Sequence, residues 1–176
     1  MHRAIMIDLE TLDVQPSAHI LSIGACLMHD MDRTFYKVLG TKEQSRSIST
    51  STIDWWVQQN QAAQDEVLIE IDVNLKETLE EFTDYIKGSG ATSFWSHGDD
   101  FDLVILSHAY HQLGMPVPWS FWNTRDTRTL IEVSKRILGR DYEPDRQGTY
   151  HNAGDDALHQ ARWINRLWEE LEKLRK

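Results

Sequence analysis

The chain has 176 residues, 40% of them hydrophobic, and a formal net charge of −10. That length suits one domain (residues 1–176) with a sizeable core, and the acidic balance argues against a general nucleic-acid coat, whose affinity comes from Lys and Arg on phosphates. No stretch reaches the ~20 apolar residues of a membrane span, Asp8 and Glu10 interrupt the first hydrophobic run too early for a signal peptide, and the lone Cys26 excludes an internal disulfide or a cysteine-type zinc site, so a cytoplasmic protein without a membrane partner is expected.

The run from Arg3 to Thr11 reads as a first strand. Side chains alternate along a strand, so Ile5, Ile7 and Leu9 share one face while Asp8 and Glu10 project together from the other, roughly 6–7 Å apart. Leu12 to Ala18, with Asp13, Pro16 and Ser17, is a turn region. His19 to Met28 is a plausible second strand, with Cys26 a buried structural thiol. The turn His29-Asp30-Met31-Asp32 precedes a third strand from Thr34 to Leu39, and the Ser-rich segment 40–51 is a loop.

Helical signals follow. Ser51-Thr52-Ile53-Asp54 offers a capping hydroxyl before Trp55, Trp56 and Val57. Asn74 can cap a helix carrying Leu75, Leu79, Phe82 and Ile86, with Gly88 as its stop. Ala91 to Ser96 is a short strand. A helix is expected over Asp99–Leu113, ended by Gly114, Pro116 and Pro118, and another over Thr127–Leu138. Residues 140–150 form a polar segment, and the last helix spans about Asp155 to Leu174. Three strands followed by alternating helices and strands predict an α/β domain with a mixed sheet.

Three acidic sites stand out. Two carboxylates on one strand face suit hard divalent cations, which prefer oxygen ligands, although a solvated pair at a strand end is an equal alternative. In His97-Gly98-Asp99-Asp100-Phe101-Asp102, Asp99 and Asp100 suit a helix cap. Asp102 instead heads an apolar face of Ile105, Leu106, Ala109 and Leu113, which marks it as a ligand candidate. In Tyr150-His151-Asn152-Ala153-Gly154-Asp155-Asp156, helical phase separates the two adjacent acids. Asp155 lies with His159, Arg162 and Arg166 on a solvated stripe and reads as the cap. Asp156 lies with Gln160, Trp163 and Leu167, beside a core stripe of Ala157, Ala161, Ile164, Trp168 and Leu171. His151, just before the inward acid, suits acid–base work because its pKa lies near neutrality. Four carboxylates from three segments can hold two divalent metals about 3.5–4 Å apart for in-line displacement at phosphorus, with His151 taking the proton of the attacking water.

Asp8, Glu10, Asp102 and Asp156, in that order and with His151, resemble the DEDDh branch of the DnaQ-like 3′–5′ exonucleases. Ile20-Leu21-Ser22-Ile23-Gly24-Ala25 and Ser51-Thr52-Ile53-Asp54-Trp55-Trp56 are similar to the small phage and prophage exonucleases grouped with exodeoxyribonuclease VIII, and to a mycobacterial exoribonuclease of that subfamily. The resemblance runs from Ala4 to about Ile164. It implies an RNase H-like fold with a five-stranded mixed sheet flanked by helices, dependence on Mg²⁺ or Mn²⁺, and release of nucleoside 5′-monophosphates from the 3′ end of single-stranded or frayed DNA or RNA. It implies substrate contacts at Thr11 and Leu12, immediately after Glu10.

Trp55, Trp56 and, less so, Trp95 are candidates for base stacking, and His97 for lining the cleft. Arg125, Arg128, Lys135, Arg136 and Arg140 could track phosphates, but the interspersed Asp126, Glu132 and Asp141 favour a solvated helix face. Relatives of this type often form a homodimer, but the exposed residues declare no interface. A catalytically idle nucleic-acid-binding or protein-interaction module and an RNase H-type endonuclease are the competing readings.

Overall fold

Alternation along the first strand is realised in full in the computed structural model, which describes residues 3–42 and 44–175. Strand β1 spans Ala4–Thr11, and its Ile5, Ile7 and Leu9 pack against Leu79, Phe82 and Ile86 of helix α3 (Leu75–Ser89) and Leu103 and Leu106 of α4 (Asp102–Gln112). On the other face, Ala4 and Met6 meet Ile131 of α5 (Thr127–Leu138) and Ala157, Ala161, Ile164 and Leu167 of α6 (Ala153–Lys173). Burying each large apolar side chain contributes about 1.5–3 kcal/mol, so both faces of the sheet must be covered by helices.

Strands β2 (Ile20–Leu27) and β3 (Asp30–Val38) pair antiparallel in sequence with β1, while β4 (Ser93–Ser96) and β5 (Thr124–Asp126) run parallel to it. The order is β3-β2-β1-β4-β5, a mixed five-stranded sheet. Two short helices, α1 (Thr50–Val57) and α2 (Gln61–Val67), cross between β3 and α3.

Several boundaries differ from the sequence expectation, each for a local reason. Residues 29–32 do not all turn: Leu27 pairs with Asp30, and Asp30 and Asp32 become positions of an edge strand that is largely exposed. Helix α1 starts after Ser49, before the expected hydroxyls of Ser51 and Thr52, and the Ser49 hydroxyl bonds Ser51 instead of capping the helix. Gly88 stays inside α3, and Gly90, at φ 63°, ends it in the left-handed conformation that glycine tolerates. The amides of Phe101 and Asp102 both bond the Gly98 carbonyl, so a tight turn delays α4 to Asp102. Helix α2 and strand β5 have no apolar pattern to announce them. The 40–51 loop includes residue 43, which lies outside the described residues.

The last helix is capped by Asn152, whose side chain accepts the Asp155 amide, and not by Asp155. Asp155 instead accepts the Thr149 amide, tying back the preceding loop. Leu167 takes the core position expected of Trp168, which is exposed, and His159 leaves the solvated stripe to sit buried against Glu143.

Gly24 of β2 lets the start of α6 lie directly on the sheet. A Cβ there would overlap the carbonyl of Ala153 and the amide of Gly154. One step along β2, the buried Cys26 thiol donates to the Ala157 carbonyl at 3.6 Å, and burial pushes its pKa up to about 12. Gly24→Ala should therefore force the helix off the sheet and destabilise the protein by about 1–3 kcal/mol, the usual range for overpacking. Urea denaturation reads this directly, and an unchanged midpoint would mean that α6 shifts without cost.

Candidate active site

The acids converge because the sheet is ragged at one end. Strand β4 pairs with β1 only as far as Met6, so the Leu9 amide of β1 has no strand partner on that side. Asp102, the first residue of α4, fills the gap: its Oδ1 accepts the Leu9 amide at 3.1 Å. Asp8 and Glu10 emerge from the face of β1 that α6 covers, and Asp8 Oδ1 accepts the Gln160 side-chain amide at 2.7 Å. Asp156 comes from the first turn of α6. One of its oxygens accepts the His151 backbone amide at 3.1 Å, and the other is ion-paired with Arg146.

His151 adopts a left-handed backbone, φ 63°, which turns the chain sharply into α6. Its ring stands edge-on to Trp55, with centroids 4.8 Å apart. Ligand atoms of Glu10, His151 and Asp156 lie within 4.8 Å of one another. All four acids and His151 line one cavity of about 570 Å³, a volume that suits a small ligand.

Electrostatics within the cavity are unfavourable without a cation. Burial, followed by the charges of Asp102, Glu10 and Asp156, pushes the Asp8 carboxyl well above its ordinary range. Glu10 is raised by burial and by Asp156 and Asp102, with Arg146 partly opposing. Burial raises Asp102 to about 7, against the pull of the Leu9 amide. His151 moves the other way: burial lowers its pKa, Asp156 opposes that and Arg146 adds to it. A crowded set of oxygen donors short of positive charge is a donor set for a hard divalent cation.

The other expected substrate contacts divide. Thr11, Trp55 and His97 line the cavity. Leu12 and Trp56 do not. Both are buried in a small core with Leu21, Ala63 and Val67; the Leu12 amide bonds His19, and the Trp56 indole N–H donates to the Thr11 carbonyl at 2.8 Å. Trp56 thus supports the cavity wall from behind. Trp95 packs into the core under α6, and Asp99 and Asp100 are not among the lining residues. His97 holds the Thr127 hydroxyl at 2.8 Å and lies over Trp163, and burial lowers its pKa.

Of the basic residues, Arg128 reaches the cavity. Lys135 and Arg136 pair with Asp141 and Glu132, Arg125 bonds nearby carbonyls, and Arg140 covers Tyr142, as a solvated face would. Sequence reasoning missed Arg146, Val14, Phe101 and a role for Gln160. Only Gln160 carried a signal, since it shares the helical phase of Asp156.

Comparison with known proteins shows the family to which the chain belongs. Residues 3–168 match the model of the Rv2179c-like 3′–5′ exoribonuclease domain. The chain belongs to that family. An exodeoxyribonuclease of Enterobacteria phage T4 is 24% identical, over 89% of this chain and 77% of its own. The fold is shared with the nuclease domain of 3′hExo, a DEDDh family member solved with bound rAMP, at a TM-score of 0.60 and 18% identity over 95% of this chain and 92% of that one.

The protein is accordingly a DnaQ-like 3′–5′ exonuclease on an RNase H-like α/β fold, and the family implies divalent metal ions. Among the described residues, no helix is long and apolar enough to cross a membrane.

Asp102 carries a stability prediction. Its pKa is raised from 3.8 to about 7, so protonation favours the fold, and the stability gained is complete below about 4 and lost as pH rises through about 7. In EDTA, Asp102→Asn should therefore melt at a higher temperature than wild type at pH 8, with the advantage vanishing toward pH 4. Added Mn²⁺ should close the gap at pH 8 by stabilising the wild type. A variant that melts lower throughout would show that Asp102 is not electrostatically frustrated.

Proposed function

We propose that this exonuclease removes nucleoside 5′-monophosphates from the 3′ end of single-stranded or frayed nucleic acid. In this reading Asp8, Glu10, Asp102 and Asp156 hold two divalent cations, Mg²⁺ or Mn²⁺, and His151 is the general base. The carrying observation is the convergence of these five residues, drawn from three separate stretches of chain, on one cavity. The donor set fits the metals: four hard oxygen ligands, three of them held above the normal carboxylate range by burial, with repulsion from neighbouring acids adding at Asp8 and Glu10.

Held by Asp8, Glu10, Asp102 and Asp156, two divalent cations would supply Lewis acidity for displacement at phosphorus. The protein's own groups do the rest. His151, its pKa depressed by burial, is neutral near pH 7 and free to accept the water's proton. The backbone bond from His151 to Asp156 ties the base to a ligand, so proton acceptor and metal site keep a common frame. Thr11, Val14 and Trp55 form a wall against which the terminal nucleoside rests, and stacking on Trp55 would be worth about 1–3 kcal/mol per base. Gln160 orients Asp8 by its hydrogen bond. Arg128, at the edge of the cavity, offers a positive charge to a phosphate of the incoming strand.

The family description and the phage relative name different sugars, ribose in one and deoxyribose in the other, and the proposal takes both as substrates. Residues 1–176 are proposed to act as one cytoplasmic catalytic domain, supported by a family match that covers nearly all of them.

A 5′-labelled oligonucleotide tests the assignment. Asp156→Asn should abolish the Mg²⁺-dependent ladder; wild-type rates in that variant would remove Asp156 from the metal site. His151→Ala should slow hydrolysis by about 10²–10⁴-fold, the usual contribution of a general base, while keeping the thermal shift produced by Mn²⁺. Circular DNA and RNA should survive intact, whereas an endonuclease would linearise them.

A further inference from the structure

Beside the loop that carries His151, three side chains share one hydrogen-bonded cluster, and its Glu66 adds to the charges that raise the Glu10 pKa. The Glu66 carboxylate of α2 accepts the Tyr36 hydroxyl of β3 at 2.6 Å and the Asn152 amide at 2.5 Å, and that amide also donates to the Tyr36 oxygen at 3.2 Å. Glu66 and Tyr36 do not line the cavity. Asn152 follows His151 directly in the chain.

We propose that Glu66, with Tyr36, is a positioning residue for His151 and acts through Asn152. The inference rests on the reading of His151 as the proton acceptor. Its first support is that the Asn152 side chain can point only one way. Its oxygen accepts the Asp155 amide at 2.9 Å to cap α6, so its NH₂ must face outward, and a carboxylate there matches it. Reversing the amide would set its oxygen against the Glu66 oxygens and leave the helix end uncapped.

The second support is backbone strain. A left-handed conformation at a residue other than glycine is strained and persists where its surroundings enforce it. His151, at φ 63°, is held on the inner side by its amide bond to Asp156. On the outer side the restraint is Asn152, and through it Glu66. The third support is packing. The Tyr36 ring closes on Gly154, where a Cβ would come within 3.1 Å of the ring, so the same tyrosine that bonds Glu66 also presses on the first turn of α6. Helix α2, seven residues long and far from the metal ligands in sequence, thereby has a mechanical connection to the base. Partners of this outer kind orient a reacting group without touching substrate, and losing one typically costs about 10–100-fold.

The test is a double-mutant cycle on the full chain, read as the single-turnover hydrolysis rate of a labelled oligonucleotide with Mn²⁺. Glu66→Ala should lower that rate by about 10–100-fold while the half-saturating concentrations of substrate and Mn²⁺ change by less than about 3-fold. In a His151→Ala background the same change should have almost no further effect, because a residue that works through His151 has nothing left to position. Glu66→Gln, whose amide oxygen can still accept from both partners, should restore most of the rate. Tyr36→Phe, which keeps the ring on Gly154, should give a smaller loss in the same direction and serves if Glu66→Ala does not fold.

Additive losses in the double variant, or a wild-type rate in both Glu66→Ala and Tyr36→Phe, would overturn the inference while His151 remains the base. A wild-type rate in His151→Ala alone would instead overturn the general-base reading, and this inference with it.

Discussion

Burial of three carboxylates in one cleft, compounded by like-charge repulsion at Asp8 and Glu10, is the constraint around which this molecule is organised. Burial raises the cost of ionising Asp8, Glu10 and Asp102, and the charges of neighbouring acids add to it at Asp8 and Glu10. The surrounding protein tolerates that load by distributing it. Asp102 leans on a strand amide, Asp8 on Gln160, and Asp156 on a loop amide and Arg146. Glu10 gains attraction from Arg146, which does not cancel its neighbours. The remaining deficit of positive charge leaves a donor set suited to a hard divalent cation.

The fold meets this demand with ordinary devices. A parallel strand that stops early exposes one amide for Asp102. A glycine on the neighbouring strand lets a helix start lie flat on the sheet and bring Asp156 across. Neither device is chemical in itself, yet without both the acids would come from elements too far apart to share an ion. The apolar layers on the two sides of the sheet hold the strand ends to which the acids are attached.

The convergence of the candidate acids on one cavity was readable from the chain because they stand at ends of strongly patterned elements. Asp8 and Glu10 follow a clean two-residue alternation, and Asp102 and Asp156 open helices whose apolar phase points them inward. Features set by long-range packing were not readable. The three residues of β5 join the sheet only because β4 lies beside them, and α2 buries just Ala63 and Val67. Asn152 and Asp155 are both good capping residues, and the choice between them turns on where Thr149 folds back. Trp55 and Trp56 are adjacent and chemically identical, but one faces the cleft and the other the core, because only Trp56 finds a carbonyl for its indole. Arg146 lies in a polar segment whose pattern says nothing of the acid it meets.

Cys26 is sealed between β2 and α6, its thiol donating to the Ala157 carbonyl, and burial raises its pKa to about 12. A thiol so reluctant to ionise is a poor target for peroxide or for disulfide exchange. The chain has no second cysteine with which it could pair internally. The cavity of oxygen and imidazole donors includes no thiol among its lining residues, so oxidants that silence thiol-dependent enzymes find no cysteine there to attack.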